Sequence, residues 1–425
     1  MYSPLASPRL LKPGWVVFAV FTLYPLWWGL GLGGFVWGLA AFPLWVLILL
    51  RHRIVMPPTT WLFAMYIGWS LVTIVRLDRM TRYLSFGFRF GALLTSLGLA
   101  IYVFNERRVT RRRFIRWVAW LWVAGIVGGY LGLLMPYGRI NTTLASVLLP
   151  RAVTNNEFVG HLVRPGFAQV QNLFGVAVPR PSTLFPYTNE WGGNVGLLTP
   201  FFIASFLYSP SFRERRFGAA MLILAAPPML LSVNRGLWIS VGVILVVVAL
   251  RSFVQGNNGP IRVVAGAVVL VAVVLAFTPL GEVVNGRLSE TDAGTRANIY
   301  REAWEGARES PVLGWGGPRP SANPFAPSIG THGHFWLVMF ANGFVGLALY
   351  LAWVLFAIRT AWRPRDPVST MLACVVIIGG LQMFFYNLLP ASLPIILVAV
   401  GLMTRPTEER TVVSRLPLAA AASHG

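Results

Sequence analysis

Two histidines stand two residues apart in the stretch THGHFWLVMFANGFVG, Thr331 to Gly346, where a polar segment turns into a long apolar run. The chain holds only five histidines, so His332 and His334 concentrate a scarce side chain at one place. An imidazole titrates near neutral pH and can take a proton from a hydroxyl, which is base chemistry at the edge of an apolar medium. Arginine is the second reactive type. Lysine occurs once in the whole chain, so cationic work falls on the guanidinium, whose planar fork grips phosphate through two parallel bonds. Arg180 in RPSTLFPYTNEWGGNVG, Arg235 in SVNRGLWISV, and Arg296 and Arg301 in GTRANIYREAW each sit in a short polar stretch beside an apolar or amphipathic run.

The elements that must position these residues are set by composition. Of 425 residues 56% are hydrophobic and 12% charged, with a mean hydropathy of +0.65, which excludes an ordinary soluble domain and places the chain in a bilayer. A crossing needs about 20 mostly apolar residues. Twelve runs of that kind are read at 14–31, 33–50, 59–76, 84–104, 115–136, 191–210, 217–233, 236–250, 262–279, 334–358, 368–386 and 390–404. The expected fold is an all-α polytopic membrane protein. Residues 1–410 form a single transmembrane domain, and 411–425 form a disordered cytoplasmic tail. No small-residue cleavage site separates the first two runs, so the first is read as a span and not as a removable signal. Cys374, the only cysteine, lies in the eleventh run and has no disulfide partner within the chain.

Net charge is +21, but its distribution argues against nucleic acid as the partner. With the N-terminus inside, the inner segments hold 21 of the 35 basic residues, mostly in short loops such as ERRVTRRRFIR, as the positive-inside rule requires. Both termini are then cytoplasmic and the basicity serves topology and anionic lipid. Thirteen arginines remain outside, and Arg89 falls within the fourth run.

Two outer segments, 137–190 and 280–333, are longer than connections need to be, which points to function. The first carries apolar pieces, TTLASVLLP and FAQVQNLFGVAV, broken by Pro and Gly and read as short helices at the membrane surface. The second carries an amphipathic helix with Ile299, Ala303, Trp304 and Ala307 on one face and closes in the breaker-rich PVLGWGGPRP. Neither a Walker-type phosphate loop nor a dinucleotide fingerprint occurs, and acidic residues in the runs are scarce. An ATP-driven pump and a proton-coupled transporter are both disfavoured.

At these residues the chain resembles the O-antigen ligase and O-antigen polymerase superfamily of bacterial membrane glycosyltransferases. Arg180 with Phe185, Asn189 and Gly192 fits that family's arginine motif before one span, and SVNRG fits its Ser-x-x-Arg-Gly turn between two spans. GTR with PVLGWG fits its loop helix and closing turn, and His332 stands eleven residues before Gly343, as the family's late-span histidine does. Two positions depart: Gly333 stands where the family usually has Asn, and Trp336 where Leu is usual.

The resemblance implies a GT-C-like membrane enzyme with its active site outside the cytoplasm of a bacterial inner (plasma) membrane. It implies inverting, metal-independent glycosyl transfer, without cofactor, from a polyprenyl-diphosphate-linked (undecaprenyl diphosphate) glycan donor to a glycan or glycolipid acceptor such as lipopolysaccharide. The residue types suit this chemistry. A diphosphate leaving group gains charge as the glycosidic bond breaks, so guanidinium groups beside it act most strongly in the transition state. Arg180, Arg235 and Arg296 are the candidates for that role, and His332 is the candidate base, with His334 its rival. Arg89, Arg79 and Arg301 are further candidates for phosphate contact.

Plainer readings compete for each residue. Interfacial Arg and His often serve as anchors, and Arg76, Asp78, Arg79 and Arg82 form an outer cluster open to either reading. The histidine pair could be half of a zinc site with Glu190, Glu290 or Asp292. At the level of function, a ligase passing a glycan to a lipid or wall acceptor stands beside a polymerase joining lipid-linked repeats, and a transporter without catalysis is the third reading.

Overall fold

The computed structural model describes residues 12–51, 53–154, 157–173, 176–254, 256, 259, 261–262, 265–266, 293–323, 327–362 and 366–406. The chain is mostly helical. Among the described residues five helices are long and apolar enough to cross a membrane: Pro58–Arg76, Met80–Asn105, Arg111–Leu134, Arg235–Val254 and His334–Ala361. Of the other expected runs, 217–233 lies largely in the 20-residue helix Phe212–Leu231, and the rest that are described form shorter or interrupted elements. Val36–Leu49, Pro367–Gln382 and Ser392–Thr404 are shorter apolar helices. The run expected at 14–31 divides into Trp15–Val17, Phe18–Thr22 and Tyr24–Gly29. Thr188–Phe202 continues into a π turn at Ile203–Leu207. Most of the run expected at 262–279, and the tail after 406, lie outside the described residues.

Large apolar side chains point outward along these helices, among them Leu39, Phe42, Ile223 and Leu355. Water would penalise that surface and hydrocarbon would not, so the arrangement suits a bilayer. Inside, aromatic rings lock the helices together. Phe63 and Tyr66 of the Pro58–Val72 helix meet Trp353 and Tyr350 of His334–Ala361, at centroid distances of 4.7 and 5.3 Å. Thr188–Phe202 is buried along nearly its whole length, which gives the residues at its start a fixed platform.

The first outer segment departs from the helical expectation in part. Short helices do form at Leu144–Leu148, Arg151–Thr154 and Glu157–Val163. FAQVQNLFGVAV, however, contributes most of an antiparallel pair of strands, Ala168–Leu173 with Val176–Pro181. Its apolar and amide residues alternate as a two-residue period requires, and β-branched valines recur in both halves. The amphipathic helix of the second segment is present as Ala293–Glu309, with Ile299, Ala303 and Ala307 buried. Trp304 is half-exposed and meets Phe344 edge-on.

Candidate active site

Arg180 is held by the strand pair. It stands opposite Gln169 in the register, and its guanidinium, only 2% exposed, reaches three neutral oxygens. Nε donates to the Ser232 carbonyl at 2.8 Å, Nη1 to Gln171 Oε1 at 2.6 Å and Nη2 to Asn189 Oδ1 at 3.4 Å. Gln169 fixes the other side of the hairpin by accepting from the Thr188 backbone N–H, so the strands are tied to the start of the Thr188–Phe202 helix.

Arg235 opens its helix. The preceding Asn234 accepts from the Leu237 N–H at 3.0 Å, an N-cap bond, and its amide donates to the Thr188 carbonyl. Tyr386 completes the corner: its hydroxyl donates to Asn234 Oδ1 at 2.7 Å and accepts from the Gly236 N–H at 3.2 Å. The glycines of both motifs have a steric reason here. A Cβ on Gly236 would run into the Tyr386 ring, and one on Gly192 into the Asn234 amide. Arg180, Asn189, Val233, Arg235, Ile239 and Tyr386 are among the residues lining one cavity of about 260 Å³.

His332 and His334 are placed very differently. Thr331 donates its hydroxyl proton to the Ser328 carbonyl, and its oxygen lies 3.1 Å from His332 Nδ1. Which of the two donates in that contact depends on the tautomer of the imidazole. His332 is half-buried on the loop. His334 is fully buried at the first turn of His334–Ala361, its N–H bonded to the Tyr386 carbonyl and its ring against Tyr350. Asn387 Oδ1 lies 3.1 Å from His334 Nδ1 and also accepts from the Leu389 N–H, while His334 Nε2 has no partner among the described residues. Gly333, between them, has φ +97°, and a Cβ there would lie 2.7 Å from the Phe384 carbonyl oxygen. That backbone strongly favours glycine, which accounts for the departure from Asn.

Gly343, eleven residues on, interrupts its helix with φ 66° and ψ −173°. The freed carbonyls of Phe340 and Ala341 accept from Trp315 and Gly316, and the Phe344 N–H donates to the Pro311 carbonyl. The PVLGWG turn is therefore docked by main-chain bonds onto the break at Gly343. Arg89 lies beneath this turn, donating to the Gly316 carbonyl at 3.3 Å, and with His334, Tyr66, Ser70 and Asn342 lines a second, smaller cavity of about 20 Å³.

The structure thus brings Arg180 and Arg235 to one cavity and Arg89 and His334 to another. His332 stands on the loop whose neighbours, Gly333 to Phe335, pack along the Met383–Tyr386 turn; Tyr386 lines the larger cavity. Arg79 is exposed at the cap of Met80–Asn105, and Arg301 is exposed on the loop helix. Arg296 lies in the first turn of that helix, and its side chain, like Glu290 and Asp292, lies outside the described residues. Tyr386, Gln171 and Asn234 were not candidates from sequence. For Tyr386 the signal was a Tyr-Asn pair inside the apolar run FFYNLLP.

Fold and site together describe a helical membrane protein with an arginine-lined cavity at one end. Residues 219–351 match a family model described as O-antigen ligase, which supports the O-antigen ligase and polymerase superfamily. The match begins within Phe212–Leu231 and takes in Arg235, Arg296, Arg301, His332, His334 and Gly343. Arg180, Arg89 and Arg79 lie before it. A comparison with curated proteins gives no match. The matched segment supports a transferase of this kind at family level.

Proposed function

We propose that the chain transfers a glycan from a polyprenyl-diphosphate donor to an acceptor hydroxyl at the outer face of a bacterial inner membrane. The observation that carries this reading is the convergence of Arg180 and Arg235, from motifs separated by a buried helix, on one cavity with Asn189 and Tyr386. In the proposed step the acceptor oxygen bonds to the anomeric carbon as the carbon–oxygen bond to the diphosphate breaks. The bonding pair leaves with the diphosphate. Arg180 and Arg235 stabilise that growing charge, and no metal is needed for this purpose. His332 takes the hydroxyl proton. Inversion follows from a single displacement. A lipid or wall acceptor, as in a ligase, is the preferred reading; a polymerase would use a second lipid-linked repeat as acceptor.

The test is single-turnover transfer with purified protein and a lipid-diphosphate glycan in excess EDTA, together with donor binding. His332→Ala should lower the transfer rate by about 10²–10⁴-fold and leave donor affinity nearly intact. Normal turnover by His332→Ala removes the base, and activity that vanishes in EDTA and returns with zinc replaces the proposed chemistry by a metal site.

A further inference from the structure

Four guanidinium groups gather around the GWGG turn, away from the residues lining the larger cavity. Arg319 Cζ lies 3.7 Å and Arg76 Cζ 4.8 Å from the centroid of the Trp315 ring. Arg82 donates to the carbonyls of Trp315 and Gly317, and Arg89 to that of Gly316. Trp315 itself is pinned, its indole N–H donating to the Gly306 carbonyl at 2.8 Å. Asp78 is the carboxylate in contact, 2.8 Å from Arg82 and 3.6 Å from Arg319, and it is half-exposed. Glu309 reaches Arg319 only through its field. Among the described residues positive charge therefore exceeds negative charge in the cluster.

Holding like charges this close is unfavourable unless something offsets it. Burial, then repulsion by Arg82 and by Arg76, pulls Arg319 below the usual guanidinium range despite Asp78. Two N–H donors, Nε of Arg76 and Nε of Arg82, are buried without a partner among the described residues. Carbonyls and an indole face hold guanidinium groups in place but do not neutralise them. A guanidinium fork donates through two parallel bonds, which suits the several acceptor oxygens of a phosphate. Position agrees as well: Arg76 closes one helix long and apolar enough to cross a membrane and Arg82 lies in the first turn of the next, and the ends of such helices are where a lipid phosphate would meet the chain.

We infer that Arg76, Arg82 and Arg319, seated around Trp315, form a second anion site that takes the phosphate of an amphiphile, distinct from the diphosphate cavity of Arg180 and Arg235. That phosphate belongs to a glycolipid acceptor or to a membrane lipid headgroup. Assigning it to an acceptor rests on the transferase reading above; the phosphate site does not.

The full chain in phosphatidylcholine nanodiscs is titrated with inorganic phosphate and with glucose 1-phosphate, in an Arg235→Ala background that weakens the donor cavity. Adding Arg76→Gln and Arg319→Gln should reduce phosphate affinity about tenfold or more, the loss expected for charge-assisted bonds. Arg76→Lys with Arg319→Lys keeps the charge, loses the forks and should give a smaller loss, which serves if the Gln variant does not fold. Nanodiscs containing phosphatidic acid separate the sources. Glucose 1-phosphate displaced by that lipid identifies a headgroup site, and undiminished binding identifies a sugar phosphate. Phosphate binding indifferent to both pairs of variants overturns the site. Binding that Arg235→Ala alone abolishes also overturns it, leaving the donor cavity as the sole anion site.

Discussion

The two ends of the Met80–Asn105 helix, roughly 39 Å apart at 1.5 Å per residue, treat arginine in opposite ways. At the Asn105 end carboxylates meet it directly. Glu106 pairs with Arg51 and Arg108, Glu214 with Arg112 and Arg116, and Asp366 with Arg111. At the Met80 end Asp78 pairs with Arg82 and Arg319, but among the described residues neutral oxygens do most of this work: carbonyls of Trp315, Gly316 and Gly317 for Arg82 and Arg89, and Ser232, Gln171 and Asn189 for Arg180. Carboxylate pairing uses up charge in holding the fold. Carbonyl bonding orients a guanidinium while preserving its charge for an anion. The same residue type is thus structural at one end and suited to chemistry at the other.

This contrast predicts that turnover and stability separate along the helix. Arg180→Ala and Arg235→Ala should each lower single-turnover transfer by about 10²–10³-fold, the size seen when one group stabilising developing negative charge is removed. Lysine should restore little of it, since a point charge lacks the fork. Equal loss of thermal stability in these variants would break the comparison. Gly236→Ala forces a methyl into the Tyr386 ring and should destabilise by about 1–3 kcal/mol, as overpacking does, displacing Arg235 as well. Its melting temperature and its donor affinity should fall together.

At the other end, Glu106→Ala leaves Arg51 and Arg108 without their shared carboxylate, itself 2% exposed. Full burial of such a pair would make the loss about 3–5 kcal/mol. Arg51 and Arg108 are partly and largely exposed, so about 1–3 kcal/mol is expected, with turnover per folded molecule unchanged. Glu214→Gln should be mildest, about 0.2–1 kcal/mol as for exposed pairs. Arg116, Ser209 and Arg112 hold Glu214 down to about 2. A depressed carboxylate stabilises the fold above its unfolded pKa of 4.5, and that contribution is lost as pH falls toward 2. The melting difference between wild type and Glu214→Gln should hold from pH 7 to about 5 and shrink below that.

Sequence spacing made much of this legible. Arg180, Arg235 and the PVLGWG turn each stand in short motifs because a turn, a cap or a close approach restricts which residues fit. The partners were not legible. Tyr386 meets Asn234 across 152 residues, and no local pattern encodes a contact of that separation. The strand pair was missed because apolar pieces broken by Gly read equally as surface helices, although the alternation of Val with Gln carried a two-residue period. His332 and His334 look equivalent in sequence, since a spacing of two residues does not reveal that a glycine with φ +97° sends one to the loop and the other into the core. The outer cluster was visible as Arg76, Asp78, Arg79 and Arg82, but Arg319 and Trp315, which complete it, come from the far side of the chain, and Arg79 is exposed at a helix cap.

The break at Gly343 also sets how the PVLGWG turn should behave in deuterated water. The amide protons of Trp315 and Gly316 end on carbonyls of a membrane-crossing helix, and that of Phe344 ends on Pro311. Releasing them requires the turn and the helix to part, not the loop alone to fray. Their isotope exchange should therefore be as slow as that of the helix interior, with the exposed positions around Pro320 exchanging at loop rates.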